Sequence, residues 1–228
     1  METAMEVYWN LALVYLDIVA PVLSLIAVLV LLFLKKATLV KTDYVLLSFF
    51  MLQVVLNSMA NYLQDNQVNN HWLYHANTLG TQVLFSTFFY LLFHAQKLKL
   101  FILFGFAGYM AVFLLNILFF QPLTTFPSYT YAFGSLMLVV YGLLTFQSWF
   151  EMIPATNILS LKEFWAVAGI LLYFGSGFFI FITYHYLSIV SGKDVGILWK
   201  LHNLFLALGC LVFLRAFTCK KWIQKSYL

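Results

Sequence analysis

Apolar residues run through this chain in seven long blocks, each close to membrane-spanning length and each ended by a short polar break. A helix needs about 20 mostly apolar residues to cross roughly 30 Å of hydrocarbon, and helical folding satisfies every backbone group within the segment. The pattern predicts spans at about Asn10 to Leu34, Tyr44 to Leu63, Leu73 to Ala95, Lys99 to Phe120, Tyr131 to Met152, Phe164 to Val190 and Ile197 to Phe217. The breaks carry turn and flanking residues: Lys35-Lys36-Ala37-Thr38, Gln64-Asp65-Asn66-Gln67, Gln121-Pro122 with Phe126-Pro127-Ser128, and Ser191-Gly192-Lys193-Asp194. The shortest break, Gln96 to Lys99, is read as a tight hairpin, because one helix from 73 to 120 would be far too long for a bilayer.

Composition agrees with this cutting. Charged residues make up 9% of the chain and mean hydropathy is +0.92, whereas soluble domains carry about 25% charged residues, so a water-facing surface cannot be built. The expected architecture is an all-α, polytopic seven-transmembrane-helix bundle forming a single domain over residues 1–228. Positive charges are retained on the cytoplasmic side of spans, which sets the orientation. With the N-terminus outside, ten of the 12 basic residues (Lys35, Lys36, Lys41, Lys97, Lys99, Lys162, Arg215, Lys220, Lys221 and Lys225) fall inside, and Lys193 and Lys200 fall outside. The C-terminus is therefore expected in the cytoplasm. The first residues carry Glu2 and Glu6 and no positive charge, so the first helix is expected to be retained rather than cleaved as a signal. Tyr8, Trp9, Trp72, Tyr74, Trp149, Trp165, Trp199 and Trp222 stand where interfacial anchors belong. Cys210 and Cys219 belong to the last helix and its inner end, and no disulfide is expected.

Polar residues inside apolar spans need partners, and ionisable ones mark function by default. Helix two carries Gln53, Asn57 and Asn61 at i, i+4 and i+8; helix three carries His75, Thr78, Gln82 and Ser86 on one stripe. Asp17 lies in helix one, Tyr184 and His185 near the outer end of helix six, and Lys200, His202 and Asn203 in the outer third of helix seven. Most of these positions share the outer half of the membrane. They predict an outward-opening polar pocket lined by Asp17, Asn57, His75, Thr78, Gln82, His185, Lys200, His202 and Asn203, closed below by Leu, Phe and Gly packing. An ion pair between Asp17 and Lys200 is expected across helices one and seven. The alternative role for each residue is interhelical hydrogen bonding alone. Pro21 is expected to kink helix one, and Gly105, Gly108, Gly169, Gly175 and Gly177 to allow close helix approach.

Several chemistries are disfavoured. Among the histidines, His71 and His75 alone have pair spacing on one helix, across a loop boundary, so no metal site and no cofactor is expected. Lys200 is too near the helix start to hold retinal, His202 lacks the second histidine of a membrane zinc hydrolase, and Phe174-Gly175-Ser176-Gly177 lacks the first glycine of an intramembrane serine protease. The two halves share no repeat of the transporter kind. The chain is not expected to be an enzyme or to bind nucleic acid.

The stretches Asn70 to Gln82 (NHWLYHANTLGTQ), Phe120 to Ser128 (FQPLTTFPS), Phe164 to Phe178 (FWAVAGILLYFGSGF) and Leu198 to Leu204 (LWKLHNL) resemble a family of small bacterial seven-helix proteins often found beside sensor histidine kinases. The likeness runs from helix two onward. It implies a multi-pass protein of the bacterial inner membrane with a signalling partner such as a histidine kinase. Relatives tend to carry a carboxylate at the position of Gln82, so an ionisable role there does not carry over. The expected function is a receptor-like module that binds a small molecule from outside and signals through a partner. The alternatives are a small-solute transporter or channel, or a structural or assembly protein.

Overall fold

A computed structural model describes residues 4–35, 39–152, 158–190 and 195–219. Lys36, Thr38, the segment 191–194 with Lys193, and the terminal Lys220, Lys221, Trp222 and Lys225 lie outside the described residues, as do Glu2 and the side chains of Glu6, Tyr8 and Trp9. The described residues form seven long helices: α1 (Ala4–Lys35), α2 (Lys41–Asp65), α3 (His71–Leu92), α4 (Gln96–Leu115), α5 (Ser128–Met152), α6 (Lys162–His185) and α7 (Gly196–Thr218). Two of them run on as a wider π turn, α4 through Asn116–Phe120 and α6 through Tyr186–Val190. Helices α1, α2, α3, α5, α6 and α7 close a ring of neighbours, and α4 packs outside it against α3 and α5.

Six helices, all but α3, are long and apolar enough to cross a membrane. That marks the chain as a membrane protein, and the outward faces agree: Phe33, Phe104, Phe119 and Phe179 are exposed, an aggregation hazard in water and ordinary contact in lipid. Helix α3 differs because it carries His71, His75, Asn77, Thr78, Thr81, Gln82, Ser86 and Thr87. Its polar side chains are mostly turned away from the surface, where α2, α4 and α5 enclose them.

The break between α3 and α4 falls earlier than expected. Phe93 and Ala95 are extended, and Gln96, Lys97 and Lys99 already belong to the first turn of α4. Phe93 is buried, so the hairpin is held by an apolar anchor that hydropathy alone assigns to the preceding helix. Two ends of the bundle follow from connectivity. The upper end carries the α2–α3, α4–α5 and α6–α7 connections; the lower end carries the α1–α2, α3–α4 and α5–α6 connections.

In α1, Pro21 lacks the N–H that would bond the carbonyl four residues back, that of Asp17. Asn57 Nδ2 donates to that carbonyl at 3.0 Å. One turn nearer the upper end, Asn203 Nδ2 donates to the carbonyls of Leu13 (3.2 Å) and Val14 (2.8 Å). Helix α2 thus grips the α1 backbone where the proline weakens its ladder, and α7 grips it one turn above. The middle and lower parts of the bundle are filled by aromatic packing of Phe49, Phe50, Phe85, Phe174 and Phe213. Helices α6 and α7 approach closely because Gly169 faces the Phe213 ring and Gly209 faces Tyr173.

The ion pair among the described residues is Lys162 with Asp43, at the lower end between α6 and α2. Asp43 also accepts the backbone N–H of Val40 at 3.1 Å, so one carboxylate caps α2 and holds α6. The pairing of Asp17 with Lys200 expected from the sequence is not formed. Asp17 is buried within the bundle, its Oδ1 without a hydrogen-bond partner among the described residues, while Lys200 lines a recess at the upper end.

Candidate functional site

At the upper end a recess of about 440 Å³ opens between α1, α2, α3, α6 and α7. Its polar lining comes from Asn61, Gln64 and Asp65 at the end of α2, Asn70 and His71 at the start of α3, and Lys200 in α7. Its aromatic lining is Tyr74, Phe126, Tyr184 and Trp199. Two residues of this lining, Asn61 and His71, each also carry a buried polar atom, Nδ2 and Nδ1, without a hydrogen-bond partner among the described residues.

Phe126 is the centre of the aromatic lining. It stands in the α4–α5 connection, yet its ring lies 4.7 Å from Tyr184, 5.3 Å from Tyr74, 5.6 Å from Tyr131 and 5.7 Å from Trp199. The connection is tied into the bundle by polar bonds. His75 Nε2 pairs with the Thr125 carbonyl at 3.1 Å, and Asn69 Nδ2 donates to the Thr124 carbonyl at 3.0 Å. Gln121, buried, donates to Ser128 Oγ at 2.8 Å and accepts from Asn116 Nδ2 and the Tyr129 N–H. These bonds press the loop down and seat Phe126 in the bundle mouth.

Below this aromatic layer the polar residues separate into groups on different sides of α3. Toward α2, Gln53 and Asn77 exchange two amide hydrogen bonds of 3.0 and 3.2 Å, Thr81 donates to Asn77 at 3.0 Å, and Asn57 links the group to α1. Toward α4 and α5, Thr78 pairs with the Tyr109 hydroxyl at 3.0 Å, His75 meets Thr125, and Gln82 lies beside Ser86 and Gly134. His202 stands on a third side, 3.2 Å from the Tyr173 hydroxyl and packed against Phe181 and Trp199.

The comparisons with known proteins add nothing to this geometry. No family model, curated protein or solved structure matches the chain.

Of the nine residues predicted to share one pocket, Lys200 lines the recess. Asp17, Asn57, His75, Thr78, Gln82, His202 and Asn203 are buried and distributed among the separate groups below it, and His185 packs on the Tyr129 ring 4.7 Å away. Asn57, His75, Gln82 and His202 are all buried, and they turn toward different helices. Facing direction around a bundle is set by packing partners, which helical spacing within one segment does not contain. His71, Asn61 and Tyr184 stand on the right elements in the sequence, and the remaining signal is Phe126, the aromatic residue of the turn from Gln121 to Ser128. Among the described residues no three His, Cys, Asp or Glu side chains converge on one point, so the recess offers hydrogen bonds and aromatic surface.

Proposed function

We propose that this chain is a receptor-like, multi-pass protein of a bacterial inner membrane that binds a small molecule in the upper recess and signals through a partner. In this reading α3 is the seventh span, the upper end faces outward, and the lower end, with Lys41, Lys97, Lys99, Lys162 and Arg215, faces the cytoplasm. The observation that carries it is one recess in which aromatic walls, Tyr74, Phe126, Tyr184 and Trp199, meet the polar residues Asn61, His71 and Lys200. Ligand pockets have this constitution: mostly apolar surface with a few convergent polar groups that fix orientation.

The same helices supply an output. The recess takes lining from both α2 and α6, and these two are joined at the lower end by Asp43 and Lys162. A ligand that draws α2 and α6 together above would bias that contact below, which is the differential interaction any such switch requires. The partner that reads the change would be a histidine kinase or a protein like it. The Phe49, Phe85, Phe174 and Phe213 packing beneath the recess supports a binding module over a transporter, which would need a route to the lower end.

The test is a thermostability screen of purified protein against polar metabolites, run in parallel on Asn61→Ala and His71→Ala. The expected result is a compound that raises the melting temperature of the unaltered chain and loses most of that shift in both variants. Compounds that stabilise all three proteins equally would place binding elsewhere.

A further inference from the structure

A second concavity lies on the flank of the bundle, between α3 and α4. It has about 260 Å³ and is almost wholly apolar, lined by Val83, Ser86, Tyr90, Ile102, Leu103 and Phe106. Helix α4 leaves it open because, of its own residues, only Ile102, Tyr109 and Phe113 are buried. A similar groove of about 300 Å³ runs on the other side of α4, beside Gly105 and Gly108, and no charged residue is among those that line it.

The α3–α4 groove is different at its lower end. Lys99 Nζ lies over the ring of Tyr90, 5.2 Å from its centroid, and Tyr90 is part of the groove wall. Lys99 forms no ion pair among the described residues, and Lys97 stands in the same first turn of α4. The groove therefore combines an apolar slot with a cation in the first turn of α4, at the lower end of that span.

We infer that the α3–α4 groove is a binding site for an anionic phospholipid, with acyl chain between Val83, Leu103 and Phe106 and phosphate at Lys99. The occupant is chosen by charge complementarity: the apolar wall takes an acyl chain, and an anionic headgroup supplies Lys99 with the counter-charge that no described residue gives it.

Native mass spectrometry of the full chain, titrated with dioleoylphosphatidylglycerol or dioleoylphosphatidylcholine, tests this. One phosphatidylglycerol should bind more tightly than phosphatidylcholine. Lys99→Gln should weaken that lipid about fivefold, and Lys99→Gln with Lys97→Gln by an order of magnitude or more, at about 1 kcal/mol per lysine near a membrane surface. Phosphatidylcholine affinity should not change. Thr87→Trp, which projects a ring across the groove from an exposed position of α3, should displace the tight phosphatidylglycerol with both lysines intact. Equal affinity for the two lipids, unaltered preference in the double glutamine variant, or full phosphatidylglycerol binding by Thr87→Trp would each overturn the assignment.

Discussion

Asn57 Nδ2 donates to the backbone carbonyl of Asp17 across 3.0 Å, and that carbonyl is the one Pro21 leaves without its helical donor. A side chain from α2 thus repairs a defect in α1 in a setting where no water is available to do so. The repair belongs to the buried group of Gln53, Asn77 and Thr81, so α1, α2 and α3 are tied together at one level.

Asn57→Ala is predicted to cost about 1–2 kcal/mol, because it strands the Asp17 carbonyl and loosens the amide group. Pro21→Ala restores the missing N–H, so the same asparagine substitution in that background should cost clearly less. A double-mutant cycle read from melting temperatures in detergent checks this, and additive losses would show that the two residues act independently.

Removing either charge of the buried Asp43–Lys162 pair is predicted to be worse than removing both. A lone buried charge costs about 3–5 kcal/mol, and a neutral pair of similar volume costs much less. Lys162→Met should lower the yield of folded protein in size-exclusion chromatography, and Asp43→Asn combined with Lys162→Met should recover most of it. Recovery absent from the double variant would mean that the pair's value lies in the α2 cap alone.

Two glycines should respond oppositely to the same change. A methyl at Gly169 would stand 2.6 Å from two atoms of the Phe213 ring, while at Gly108 it meets nothing within 4 Å. Gly169→Ala should therefore destabilise by about 1–3 kcal/mol, and Gly108→Ala should be neutral or stabilising by up to about 1 kcal/mol. Equal melting temperatures for the two variants would contradict the close α6–α7 packing.

The helices were legible in the sequence because hydrocarbon thickness and hydropathy constrain length strongly. The boundary at Phe93 was not, since an apolar hairpin residue carries the same hydropathy as the helix it ends. The polar stripe of α3 was visible from i, i+3 and i+4 spacing, but Asn77, one residue off that stripe, turned out to face Gln53 on another helix. Partner identity across helices depends on how each helix is rotated in the bundle, and spacing within one segment leaves that free. The Asp17 and Lys200 pairing failed for a related reason: similar depth on adjacent helices did not bring the side chains to one side, and the pair that formed joined α2 to α6 instead.

The outward recess is tested most directly by chemical access to Asn61. In a chain whose native thiols are removed by Cys210→Ala and Cys219→Ser, Asn61→Cys should react with a small, membrane-impermeant thiosulfonate added to intact spheroplasts. Gln96→Cys, at the lower end, should react only after permeabilisation. Modification of Gln96→Cys on intact spheroplasts, with Asn61→Cys protected until the membrane is opened, would reverse the orientation and remove the outward site.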